Sequence, residues 1–144
     1  MKNTALLIDT NVILDWILKR QPFHQDATYI VDLCMHRKIR GYLTVHTVLN
    51  AFYITRKDLM LTERRDLSRL LCNRFEIIGV NREQILNALD AINFKDIEDG
   101  LQMQCAEENN LDYIITRDIK DFQNSKVKVI LPEDFIAMWK STNS

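Results

Sequence analysis

Five aspartates, Asp9, Asp96, Asp99, Asp118 and Asp121, are the side chains of this 144-residue chain best suited to joint chemistry. Asp9 closes the apolar run that begins at Thr4. Asp96 and Asp99 open a helical stretch reaching Glu108, and Asp118 and Asp121 follow the apolar run from Tyr113. Carboxylates held together repel and raise one another's pKa unless a cation neutralises them. A hard divalent ion that prefers oxygen donors, such as magnesium, suits that set. Taken singly, each acid has a plainer reading. Asp96 can be a helix N-cap, Asp99 can complement the dipole in the first turn, and Asp9 and Asp121 can serve turns. Together these plain readings would leave uncompensated negative charge on one rim, so convergence is the more economical reading.

The elements that would bring the acids together follow from alternating apolar runs and helical stripes, the pattern of an α/β domain with a parallel sheet. Strands are expected over Ala5–Asp9, Arg40–Thr44, Phe75–Val80, Asp112–Thr116 and Val127–Leu131. A short helix is expected over residues 12–18. A second covers Gln25–Arg37, with Ala27, Ile30, Val31 and Cys34 on one buried face. His46–Lys57 should bury Val48, Leu49 and Phe52. Thr62 should cap a helix through Cys72 that buries Leu67, Leu70 and Leu71. Asn81 with Gln84 forms a capping box for a helix to Ala91. Asp96 caps one through Asn109, and Pro132 opens the last helix, to Lys140. Residues 1–140 read as one domain and residues 141–144 as a frayed tail.

If the sheet is parallel, Asp9 and Asp118 lie at the carboxyl ends of the first and fourth strands. The helix from about residue 97 runs back into the fourth strand through a short turn. Its ~20 Å length matches a strand of roughly 17–20 Å, which returns Asp96 and Asp99 to the rim where Asp118 emerges. Asn50 starts from the same rim on the helix after the second strand. Open α/β sheets bind ligands in the crevice outside the carboxyl ends, where strand order reverses.

Composition is neutral on partners. The net charge is −1 with a hydrophobic share of 47% and a charged share of 27%, ordinary for a globular protein. A dedicated DNA-binding domain would be basic. No apolar run approaches the ~20 residues of a bilayer span and the N-terminus lacks a signal-like apolar segment, so no membrane is expected and the cytoplasm is the expected compartment. Cys34, Cys72 and Cys105 are odd in number and widely spaced, which supports neither a disulfide framework nor a zinc knuckle. Cys34 and Cys105 read as core thiols. His24, His36 and His46 show no metal-ligand spacing and read as surface or capping residues.

Three segments in this order and spacing, Leu7-Ile-Asp-Thr-Asn-Val-Ile-Leu-Asp15, Asp96-Ile-Glu-Asp-Gly-Leu-Gln102 and Ile115-Thr-Arg-Asp-Ile-Lys-Asp-Phe122, resemble the PIN domain, a metal-dependent nuclease fold that includes VapC-type toxins. The resemblance covers nearly the whole chain. It implies a three-layer α/β/α fold with a five-stranded parallel sheet of order 3-2-1-4-5, which makes strands one and four neighbours. It also implies that Asp9, Asp99 and Asp118 are the catalytic, metal-holding acids for Mg2+ or Mn2+, with Asp96 a further ligand. Asn11, Asn50, Thr116 and Asp121 would support them, Asn11 by propping the first-strand turn. Asn50 departs from the pattern, since the family's second acid, a glutamate, falls at that position. An amide brings neither charge nor basicity, and Asp96 would compensate.

The activity so implied is hydrolysis of an RNA phosphodiester, with phosphates steered by whichever of Lys19, Arg20, Arg56, Lys57 and Arg117 face the crevice. A toxin of this kind would meet an antitoxin protein. Homodimers are common among such proteins, and the apolar surface near Trp16 or along Val45–Tyr53 offers a contact. A second reading is a PIN-like module that binds RNA or protein without catalysis; Asp9-dependent magnesium binding discriminates the two. A phosphatase of the haloacid-dehalogenase type would need Asp-x-Asp where this chain has Asp9-Thr10-Asn11. A response-regulator receiver would need an acid after a central strand, and neither the second nor the third expected strand ends in one.

Overall fold

The computed structural model describes residues 3–91 and 96–143. The strands are β1 (Ala5–Ile8), β2 (Arg40–Thr44), β3 (Glu76–Ile78), β4 (Tyr113–Ile115) and β5 (Lys128–Ile130). The α-helices are α1 (Thr10–Leu18), α2 (His24–Met35), α3 (Val45–Ile54), α4 (Leu61–Arg74), α5 (Arg82–Asp90), α6 (Ile97–Glu108) and α7 (Pro132–Thr142). The strands form one sheet in the order β3-β2-β1-β4-β5 with every pairing parallel. β1 lies at its centre, with Leu6 paired to Gly41 on one side and Leu7 to Ile114 on the other. This is the expected three-layer fold.

All four residues of β1 are buried, as a strand covered on both faces requires. Leu6 and Ile8 pack with Val12 and Ile13 of α1, Ile30 and Val31 of α2, and Phe135 and Ile136 of α7. Ala5 and Leu7 join the opposite cluster with Met103, Cys105 and Ala106 of α6 and Phe122. Cys34 and Cys105 are buried thiols, whereas Cys72 is exposed. Burial pushes the Cys34 thiol up to about 12. No helix among the described residues is long and apolar enough to cross a membrane.

Several local expectations need correction. α1 starts at Thr10, not at residue 12, and Asp9 takes its N-cap position without a side-chain capping bond. That leaves the Asp9 carboxylate to other partners. α4 starts at Leu61, ahead of Thr62; the cap is supplied in reverse by Glu63, whose Oε1 accepts from Met60 N at 2.8 Å. Leu49 and Leu70 were expected inside and are 63% and 39% exposed, because α3 and α4 lie at an edge of the molecule where one face suffices for packing. α3 ends at Ile54 and tightens into a 3-10 turn over Thr55–Lys57. The Asn81–Gln84 capping box is present, with reciprocal bonds of 2.8 and 3.0 Å. α7 runs two residues past Lys140, and Ser141 and Thr142 each donate a hydroxyl to Met138 O at 3.0 Å. Ser144, part of the expected tail, lies outside the described residues, as do Met1 and Lys2 of the expected domain.

Candidate active site

A parallel sheet sends every strand out at the same rim, and the acids are delivered there by different elements. Asp9 follows β1 directly and is 4% exposed. Its Oδ1 accepts from Gln102 Nε2 at 2.9 Å and its Oδ2 from Thr116 Oγ1 at 2.8 Å. Both donors are buried. Thr116 Oγ1 also accepts from Asp118 N at 3.0 Å, so one hydroxyl ties the loop after β4 to the end of β1. Asn11 Nδ2 lies 3.4 Å from Asp118 Oδ2, so its recorded contact is with the fourth-strand acid, not with the first-strand turn it was expected to prop. Asp96 is the exposed N-cap of α6, its Oδ1 accepting from Glu98 N at 2.8 Å and Asp99 N at 3.4 Å.

The carboxylates act on one another. Burial is the main cause of the raised pKa of Asp9. Hydrogen bonds from Gln102 and Thr116 oppose the shift, while the charges of Asp118 and Glu98 add to it. Asp99 is pushed up to about 7, first by burial and then by Asp9, Asp96, Asp121 and Glu98. Asp121 is exposed, in the 3-10 turn Ile119–Phe122, with its N–H donating to Asp118 O at 3.0 Å. The acids therefore share one electrostatic field.

They do not form a ready-made cage. Among the described residues, no group of three or more His, Cys, Asp or Glu side chains is arranged to hold a metal ion. The expectation of carboxylates already packed in one notch is corrected on this point. Both Asp9 oxygens take protein donors, and an Asp96 oxygen serves the cap.

Five residues at this rim escaped the sequence reading. Glu98 Oε1 accepts from Thr10 Oγ1 at 2.8 Å, and Thr10 shares a 2.8 Å bond with Thr47. Glu98 Oε2 lies 3.1 Å from His46 Nε2. That nitrogen is 2.9 Å from the Asn50 amide, so Asn50 turns toward His46. Gln102 was legible in principle, since it lies three residues after Asp99 and so on the same helix face. Thr10, Glu98 and His46 meet across three elements, and no local spacing signals that.

Among the five basic residues considered for phosphates, Arg117 is the one with a recorded contact to a rim acid, Nη1 standing 3.9 Å from Asp118 Oδ1. Its Nε and Nη2 donate to Asp15 at 2.8 and 3.3 Å, and Arg20 approaches Asp15 at 3.7 Å. Arg56 instead covers the Tyr53 ring at 3.9 Å.

Acidic side chains are delivered to the carboxyl rim by β1, α6 and the loop after β4, and the family model described as PIN domain aligns with residues 5–120. The chain belongs to the PIN domain family. It is 24% identical over 147 residues to Ribonuclease VapC1 of Aquifex aeolicus, covering 98% of this chain and 99% of that protein. Among solved structures of similar fold is a toxin-antitoxin complex from Klebsiella pneumoniae, with a TM-score of 0.66, 19% identity, and coverage of 88% of this chain and 97% of that chain. FitAcB from Neisseria gonorrhoeae superposes with a TM-score of 0.65 at 21% identity, over 89% and 98% of the two chains. VapBC2 from Rickettsia felis, bound to a fragment of its promoter DNA, gives a TM-score of 0.65 at 14% identity over the same shares.

For a PIN domain the donor set fits a hard divalent ion. The acidic side chains at the rim offer oxygen ligands, and burial together with neighbouring carboxylates raises Asp9 and Asp99, a cost that a dication would relieve.

Proposed function

We propose that this chain is a Mg2+- or Mn2+-dependent endoribonuclease that acts as the toxin of a toxin–antitoxin pair. The observation that carries the reading is the shared field at the rim, where Asp99 is held near 7 by burial and by four neighbouring carboxylates. The similarity to Ribonuclease VapC1 and to chains from toxin–antitoxin complexes supports the substrate class and the antitoxin partner.

Asp9, Asp99 and Asp118 would hold the ion, with Asp96 and Asp121 supplying further negative charge. When bound, such an ion activates water toward phosphorus and neutralises charge on the leaving oxygen. The remaining tasks fall to the chain itself. Gln102 and Thr116 fix the Asp9 carboxylate in one rotamer, a precondition for placing reacting atoms to within a fraction of an ångström. Thr116 and Asn11 do the same for the segment carrying Asp118. Asp99, partly protonated at neutral pH, would release its proton as a cation enters. No side chain need become covalently attached to the RNA.

The test is cleavage of a mixed single-stranded RNA with magnesium by the wild-type chain and by Asp9→Asn. Cleavage by the wild type and its loss in the variant are expected; equal rates reject the assignment. A second reading rests on Asn50, a neutral group directed at His46, at the position where the resemblance would place an acid. On that reading the domain binds RNA or protein without cutting it. Calorimetry with magnesium separates the two, since Asp9-dependent binding is expected only of the nuclease.

A further inference from the structure

A fixed guanidinium stands beside the acids, and its mounting is unusual. Asp15 lies within α1 and is 1% exposed. A buried carboxylate is tolerated only with a well-placed counter-charge. Arg117 supplies it through a fork, Nε at 2.8 Å from Asp15 Oδ2 and Nη2 at 3.3 Å from Oδ1. The Phe23 ring, 4.2 Å from the guanidinium carbon, covers one face of the group. Hydrogen bonding to Asp15 raises its pKa further, so it is charged throughout the working range. Two of its three nitrogens are thus committed to Asp15. The third, Nη1, stands 3.9 Å from Asp118 Oδ1, beyond hydrogen-bond distance. An arginine clamped at one edge and stacked on a ring presents its remaining edge with little rotamer entropy left to lose.

We propose that Arg117 contacts a phosphate oxygen of the bound RNA through Nη1, and that Asp15 is the positioning residue that aims it. The inference rests on the nuclease reading of the rim and names the residue that meets the backbone there. Arg20, 3.7 Å from the same Asp15 carboxylate, compensates part of its charge. Arg117 can therefore face an anion without leaving Asp15 wholly unpaired. Asp15 is buried within α1, so the guanidinium it holds is preorganised before RNA arrives.

The test uses a fluorescein-labelled single-stranded RNA of mixed sequence. Anisotropy is read in EDTA over a range of salt concentrations, and cleavage is read separately with magnesium. Arg117→Ala should weaken binding and lower the slope of log Kd against log salt by about 0.7, the release expected for one phosphate contact on a single strand. Since Arg117→Ala leaves the buried carboxylate with Arg20 alone, Asp15→Asn/Arg117→Met removes the pair together and should give the same loss of slope in a folded chain, verified by circular dichroism. Asp15→Asn keeps the Arg117 charge but frees the Arg117 side chain. It should retain the salt slope while kcat falls about 100-fold with KM changed far less, a split that mere destabilisation would not produce. Asp9→Asn should keep the wild-type slope and lose cleavage. An unchanged slope in both Arg117 variants overturns the proposal even if Asp9→Asn is inactive. Full cleavage by Asp9→Asn would instead sink the nuclease reading and leave the slope to decide on Arg117.

Discussion

Asp99 shows how one residue can be costly to the fold and useful at the site. Its folded pKa of about 7 exceeds the 3.8 of the free side chain. Between those values the folded chain holds a proton that the unfolded chain has lost, so stability falls as pH rises through that window. The penalty is absent below the unfolded pKa and complete above the folded one. Asp99→Asn should therefore raise the melting temperature of the metal-free protein by about 2–4 °C at pH 8 and leave it unchanged at about pH 3, below the unfolded pKa. Thermal melts at the two pH values check this, and an equal gain at both would contradict it. The same proton must leave when a cation binds, so magnesium affinity in the wild type should rise with pH up to about 7. Calorimetry in buffers of different ionisation enthalpy would detect the released proton.

Among the elements, α6 has the sharpest division of labour. Its first turn presents Asp96 as a cap, Glu98 to Thr10 and His46, and Asp99 to the shared field. Capping and charge can be separated by substitution. Asp96→Ala should cost about 1 kcal/mol of stability through the lost cap, whereas Asp96→Asn should keep it; urea unfolding distinguishes them. If Asp96 also serves as a ligand, both variants should weaken Mn2+ binding alike. On β2 the constraint is steric. A methyl group at Gly41 would lie 2.7 Å from Cys34 Sγ and 2.7 Å from Phe75 Cδ2, and the Phe75 ring is packed in a buried cluster. Gly41→Ala should destabilise by about 1–3 kcal/mol, read as a lower urea midpoint at unchanged slope.

For the molecule as a whole, repulsion among the acids should make the fold responsive to cations. Mn2+ at a hundredfold excess over its Kd should stabilise by about 2.7 kcal/mol, seen as a rise in melting temperature that Asp9→Asn abolishes. The parallel sheet and the placement of Asp9 and Asp118 at its rim could be read from the sequence, because apolar runs and short connections are local signals, whereas the strand order came through the resemblance alone. Asp96 as a cap was legible for the same reason. The Thr116 bridge between Asp9 and Asp118 could be read only through a resemblance. Glu98 with Thr10 and His46, and Asp15 with Arg117, could not be read at all. Such pairs join residues as many as 102 apart, and their geometry depends on how α1, α3 and α6 pack. The exposed Leu49 and Leu70 mark the converse limit, where helical spacing marks an apolar stripe but not how much of it a neighbour covers.

The alternation along β1 has a consequence for how this centre can vary. Leu6 and Ile8 face one apolar layer while Ala5 and Leu7 face the other, so successive residues belong to different halves of the interior. Insertion or deletion of a single residue in this strand would exchange the two sets and turn Asp9 away from Gln102 and Thr116. A two-residue change would restore the alternation but displace Asp9 by nearly 7 Å along the strand. The position of the buried acid is thus fixed by parity as well as by distance, and length polymorphism should be confined to connections remote from this strand.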